Sequence, residues 1–166
     1  GVLRNMASNS WVAGRAGHAL RFDGTNDFVA VTQMAAVVTG VPFTVAAVVW
    51  QDAADTNEYS TVVSDGMLML TNRWPGFVVR FAKTQNWMTG YAANSNEPAG
   101  LVAATNWGPE NMGRRVDVAL AHDGTQARLF VEGREVSSHV QGFDACPQAE
   151  LRIGYGHVNE AASSWR

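Results

Sequence analysis

The sequence predicts an all-β domain of antiparallel strands, a sandwich or a barrel, and three observations carry that expectation. Short apolar runs rich in Val, Phe and Leu recur along the whole chain, about ten in all. Gly, Asp and Asn turn signals separate them at roughly 8–12 residues. Helical periodicity is scarce, and Met34–Val38 alone has the pattern of a short helical turn. A chain of 166 residues suffices for one domain that buries roughly 70% of its unfolded surface.

Taken in order, His18–Phe22 and Asp27–Val31 flank the turn-rich Asp23-Gly24-Thr25-Asn26. Phe43–Trp50 follows Pro42 and is apolar at both alternate sets of positions, which predicts a central strand covered on both faces. Tyr59–Val63 runs into Ser64-Asp65-Gly66, a hairpin signal, with Met67–Thr71 as its return strand. Phe77, Val79 and Phe81 then alternate with Val78, Arg80 and Ala82. The clearest hairpin joins Arg115–Ala121 to Ala127–Glu132 through His122-Asp123-Gly124-Thr125, with Val116, Val118 and Leu120 inward, opposite Leu129 and Val131. Glu132-Gly133-Arg134-Glu135 turns the chain into Val136–Val140, and Leu151, Ile153 and Tyr155 mark the last strand. Thr84–Gly113 lacks regular alternation and is rich in Asn, Gly and Trp, as a functional loop or irregular strands would be.

Composition excludes several function classes. With 46% hydrophobic and 16% charged residues the chain is globular rather than disordered. Its net charge of -3, with no basic stripe, argues against a nucleic-acid partner. Phe28–Gln51 carries no charge over 24 residues, long enough to cross a bilayer. Gly40 and Pro42 break it, however, and eight of its residues are valine, so two strands joined by a loop explain it better than a membrane span. Cys146 is a single cysteine and can form neither an internal disulfide nor a zinc site by itself.

Four segments together resemble laminin-G-like domains of the concanavalin A-like lectin superfamily. Gly17-His18-Ala19-Leu20-Arg21-Phe22-Asp23-Gly24-Thr25-Asn26-Asp27-Phe28-Val29 is similar to their G-x-A-L-x-F-D-G-x-x-D-Y/F-V opening. Phe43-Thr44-Val45 with Trp50 resembles their F-T-V-x-x-W strand, with the tryptophan one or two residues late. Val118-Ala119 to Asp123-Gly124, followed by Leu129-Phe130-Val131-Glu132-Gly133, is similar to their H-V-A-x-T-x-D-G and L-Y-V-D-G hairpin. Leu151-Arg152-Ile153-Gly154 fits their L-x-I-G strand. The resemblance covers about residues 11–156 and implies a two-sheet jelly-roll β-sandwich, with residues 1–166 forming one such domain. It also implies an extracellular, cell-surface or virion-associated setting.

Against the family pattern, the chain lacks matches to one strand at each end. Those strands supply ligands to a structural calcium ion in the family, so their absence argues against calcium here. No cofactor is expected, and Asp23 and Asp27, which bracket a tight turn, are the candidate metal ligands if a cation is held. The local alternative is that both carboxylates bond their own turn backbone. The missing strands also imply an open sheet edge that a homo-oligomer or a strand-completing protein partner would cover.

Catalysis is not expected. Glycosidases on this fold carry E-x-D-x(x)-E on one strand, and the chain has no such string. Glu132 and Glu135 flank a turn glycine, and the four histidines show no metal-binding spacing. Aromatic side chains are the better lead. Trp74, Trp87, Tyr91 and Trp107 lie among Arg73, Asn94, Asn96 and Asn111, and rings beside amides and a guanidinium suit sugar C–H faces and hydroxyls. The competing reading makes these tryptophans sandwich closures, while Trp11, Trp50 and Trp165 have the look of core or edge packing. The expected function is a non-catalytic module binding a glycan or extended polymer. A structural or assembly module, such as an adhesin, a viral tail or fibre component or part of a larger secreted protein, is the second reading. A polysaccharide-active enzyme is the third.

Overall fold

The computed structural model describes residues 1–31, 42–55, 57–65, 76–83, 87–93, 100–104, 107–146 and 150–156. The expected strands Met67–Thr71 and helical turn Met34–Val38 lie outside these residues. Among the described residues thirteen strands form: β1 (Val2–Arg4), β2 (Trp11–Ala13), β3 (His18–Leu20), β4 (Phe28–Val31), β5 (Phe43–Trp50), β6 (Tyr59–Asp65), β7 (Gly76–Ala82), β8 (Trp87–Ala93), β9 (Gly100–Ala104), β10 (Arg115–His122), β11 (Gln126–Val131), β12 (Arg134–Val140) and β13 (Leu151–Ile153). All pair antiparallel, in a seven-stranded sheet β1-β4-β13-β6-β7-β8-β9, a four-stranded sheet β12-β11-β10-β5 and a β2-β3 ribbon.

Strict alternation on β10 builds the sandwich. Val116, Val118 and Leu120 are buried, as are Ala127 and Leu129 of β11 and Val49 of β5. They share one apolar core with Val63, Phe77, Val79, Phe81, Met88 and Leu151 of the seven-stranded sheet. Each large side chain buried this way contributes about 1.5–3 kcal/mol relative to exposure. The β10–β11 turn forms as its residues predict. Asp123 Oδ1 accepts from the Thr125 and Gln126 amides at 2.9 Å each, and Gly124 takes φ 107°. Those amides hold the Asp123 carboxyl down to about 2. Glu132 and Gly133 both have positive φ, the requirement of a tight hairpin turn between β11 and β12.

One expectation is corrected. Phe43–Trp50 is not a central strand covered on both faces: among the described residues it is the last strand of its sheet and pairs with β10 only. Its outward residues Thr44, Ala46, Val48 and Trp50 are exposed, so an apolar face here is a surface rather than a second core. Conversely β7, whose sequence alternates, is buried at all seven positions. Arg80 is accommodated there with its guanidinium 4.3 Å from the centre of the Tyr59 ring. The Asp23–Asn26 turn lies, as read from the sequence, between two strands, and these belong to different sheets. β3 pairs with β2, whereas β4 pairs with β1 and β13, so the turn carries the chain from the ribbon into the large sheet. Within the irregular Thr84–Gly113 stretch, β8 and β9 form, and Pro109–Asn111 makes a 3-10 turn.

β5 is anchored at both ends. At its start, Phe43 packs with Phe77 and Phe143 at ring separations of 5.2 and 4.8 Å and stacks on buried His122 at 5.8 Å. His122 completes that end by accepting the Gly124 amide at Nδ1 and bonding the Gln141 carbonyl through Nε2. The strand is followed at once by Gln51, which is buried and bonded to Trp107.

One buried group is out of balance. Asp65 is 1% exposed at the end of β6, and neither carboxylate oxygen has a hydrogen-bond partner. Burial pushes its carboxyl up to about 6. Folded Asp65 therefore holds its proton more tightly than the unfolded chain, and stability falls as pH rises from about 4 to about 6. Asp65→Asn removes the buried charge and should raise stability at pH 7, by on the order of 3 kcal/mol. Denaturant midpoints should then converge with wild type below pH 4, and a pH-independent difference would contradict the assignment.

Candidate functional site

The residues singled out from sequence divide in the structure. Arg73, Trp74, Asn94 and Asn96 lie outside the described residues. Trp87 and Tyr91 occupy alternate positions of β8, Trp87 opposite Ala82 and Tyr91 between Val78 and Leu101. Trp107 is not on a loop surface: it is 2% exposed and packs 6.4 Å from Phe81. Its Nε1 donates to Gln51 Oε1 at 3.0 Å, Gln51 Nε2 donates to Asp55 Oδ2 at 3.3 Å, and Ser60 Oγ donates to the same oxygen at 2.5 Å. This chain of bonds satisfies a buried indole, amide and carboxylate together, which is a structural task. Asn111 accepts from Arg114 Nη2 at 2.6 Å and so tethers the 3-10 turn to the start of β10.

Asp23 and Asp27 behave as turn residues. Asp23 Oδ1 accepts from the Thr25 amide at 2.7 Å and the Asn26 amide at 3.2 Å, and Asp27 Oδ2 accepts from the Asp23 amide at 3.1 Å. Burial raises the Asp27 carboxyl, which disfavours the charge a cation would need. Among the described residues no group of three or more His, Cys, Asp or Glu side chains is placed to hold a metal ion.

The outward face of the four-stranded sheet carries a different feature. Its register sets Trp50 beside Arg115, Val48 beside Asp117, Ala46 beside Ala119 and Phe130, and Thr44 beside Ala121 and Arg128. Alanines in the middle rows leave a trough between larger side chains. An open depression of about 480 Å³ results, lined by Ala46, Val48, Asp117, Ala119, Phe130 and Gly133. A separate, smaller one of about 160 Å³ is lined by Thr44, Ala121 and Arg128 among others. At the other end Trp50 is 60% exposed, a large ring facing water.

The β2–β3 ribbon supplies polar groups to this trough. Gly14 donates to the Gly17 carbonyl at 2.9 Å, and the resulting turn projects Arg15. Arg15 Nη1 donates to Asp117 Oδ1 and Oδ2 at 2.7 and 2.8 Å. Both partners are substantially exposed, so water screens this pair and it stabilises the fold little. Glu132, the neighbouring carboxylate, is held by Arg114 at 3.2 Å. Sequence reasoning missed this face because apolar residues at both alternate positions of β5 read as burial. The available signal was the small side chains, Ala46, Ala119 and Ala121, sharing one alternation phase.

No protein-family model matches the sequence, and no curated protein matches it. Solved structures do. The carbohydrate-binding module CBM40 of the Ruminococcus gnavus IT-sialidase, bound to α2,3-sialyllactose, superposes with a TM-score of 0.57 at 14% identity over 78% of this chain and 73% of that one. The module CBM66 from Bacillus subtilis gives 0.52 at 12% identity over 86% and 82%. Mouse laminin α1 domains LG4-5 give 0.56 at 9% identity over 84% of this chain and 36% of that one. The fold is a concanavalin A-like jelly roll. At these identities the similarity establishes architecture, as the laminin-G-like segments of the sequence imply.

Trp107→Ala should lower stability by about 3–5 kcal/mol, because it opens a cavity and leaves Gln51 Oε1 without its donor. A thermal melt separates this from a ligand contact: a variant of wild-type stability that had lost only binding would reverse the assignment.

Proposed function

We propose that this chain is a non-catalytic carbohydrate-binding module. The observation that carries the reading is the trough on the four-stranded sheet, with an alanine floor, apolar walls at Val48 and Phe130, and Asp117 and Arg15 at its side. Sugar rings present C–H faces to such apolar surface and hydroxyls to carboxylate and guanidinium groups. Two of the solved structures that share its fold, CBM40 and CBM66, are carbohydrate-binding modules, which supports the reading. Carboxylate placement supports the absence of catalysis. Asp117 and Glu132, the two acids at the trough, are each paired with a separate arginine, whereas a glycosidase needs one acid protonated and its partner free to attack. A secreted or surface location accords with this reading.

Glycan-array screening followed by calorimetry should find binding in the micromolar to millimolar range. Trp50→Ala and Asp117→Asn should each weaken it about tenfold, equivalent to roughly 1.4 kcal/mol. Trp87→Ala and Tyr91→Ala should leave it unchanged. The reverse pattern would move the site to β8 and the Thr84–Gly113 stretch, and no binding to any glycan would refute the function.

The module needs no metal in this reading. Adding a chelator should leave both the thermal midpoint and glycan affinity unchanged, and a midpoint lowered by chelation would show a structural ion.

A further inference from the structure

Charged side chains around the trough come in opposed pairs. Asp117, at its side, holds the Arg15 guanidinium through both carboxylate oxygens. Glu132, next to the lining residue Gly133, has Arg114 at 3.2 Å, and its Oε1 also accepts the Asp117 amide at 3.3 Å. Glu135 stands opposite Phe130 in the register, with Arg128 at 4.0 Å. Arg128 in turn reaches Asp123 at 3.1 Å. Arg115, one row further along β10, lies outside the lining and donates to the Ala13 carbonyl of the ribbon at 3.5 Å. Arg15, Arg114 and Arg128 thus each meet a carboxylate, and Asp117, Glu132 and Glu135 each meet a guanidinium.

We infer that the trough admits uncharged glycans and excludes acidic ones, an inference that rests on the glycan-binding reading above and narrows its ligand class. An acidic sugar approaching Arg15 finds Asp117 already in place. That carboxylate is tethered beside the guanidinium, so the incoming one competes with an internal rival at an effective concentration on the order of millimolar. It must also approach a like charge, which disfavours the wrong partner. An amino sugar meets the converse obstacle, because the Asp117 carboxylate is held by Arg15.

A neutral sugar has nothing to displace. Both bonds of the pair run from one nitrogen, Arg15 Nη1, whereas a guanidinium carries five N–H donors and a carboxylate about four acceptor sites. Hydroxyls can therefore add to the intact pair, while Val48, Phe130 and the alanine floor take a C–H face of the ring. Salt separates the two ligand classes. Ions screen attraction between net charges over a Debye length of about 8 Å at physiological ionic strength, and a neutral ligand has no net charge to screen.

Calorimetry on the intact chain should compare neutral glucan, mannan and galactan fragments with polyuronate, sialylated and sulfated oligosaccharides of equal length. The best neutral fragment should bind at least about tenfold more tightly than any acidic one. Its affinity should change by less than about twofold between roughly 20 and 500 mM salt. Asp117→Asn keeps the side-chain shape and uncovers the Arg15 charge. It should raise affinity for acidic fragments about tenfold, in a salt-dependent way, while affinity for neutral ones falls. Adding Arg15→Gln to that variant should abolish the gain. Both partners are exposed, so the circular dichroism spectrum should not change. Tighter wild-type binding of acidic than of neutral fragments would overturn the inference and leave the glycan-binding reading standing. So would an unaltered preference in Asp117→Asn. Failure to bind any fragment would refute the glycan-binding reading itself, and this narrower one with it.

Discussion

Val116, Val118 and Leu120 on one phase of β10, packed into a common core with Phe77, Val79 and Phe81 of β7, constrain nearly everything else in the molecule. A strand has two faces and a residue period of two, so committing one phase to the core commits the other to the surface. Asp117, Ala119 and Ala121 are outward for that reason alone. Their neighbours Val48, Ala46 and Phe130 follow through the register with β5 and β11. The trough is therefore a by-product of core packing refined by the choice of small side chains on the outward phase.

Polar interactions then divide into two kinds with different work. Buried ones are connected: Trp107, Gln51, Asp55 and Ser60 satisfy one another, and His122 is bonded through both ring nitrogens. These lock the two ends of β5 to the rest of the sandwich. Surface ones, such as Arg15 with Asp117 and Arg114 with Glu132, lie in water and stabilise the fold little. Asp65 belongs to neither kind, since it is buried without a partner and stability is reduced wherever it is ionised.

Strand edges place a further constraint on a jelly roll, because an open sheet leaves unpaired amides and carbonyls at its margins. β1 is short and β12 is charged, but β5 is both long and neutral. The same strand also supplies Ala46 and Val48 to the trough.

Composition and turn chemistry alone determined that this is an antiparallel all-β chain, and four short segments pointed to its jelly roll. Local signals are strong there: Asp123-Gly124 and Glu132-Gly133 adopt their turn conformations because their backbone requirements are local. Whether an apolar strand is central or outermost is a different matter. Phe43–Trp50 looks buried on both faces and is an edge, whereas Gly76–Ala82 alternates and is buried throughout. Position within a sheet depends on which distant strands pair, and residue type along one strand does not encode that. Trp107 and Trp50 show the same limit: both are tryptophans near polar residues, yet one is enclosed beside Gln51 and the other faces water. The sequence by itself determined the periodicity, the turns and the residue types available for binding. Only the tertiary structure decided which of them reach solvent together, because exposure is set by long-range packing of the two sheets.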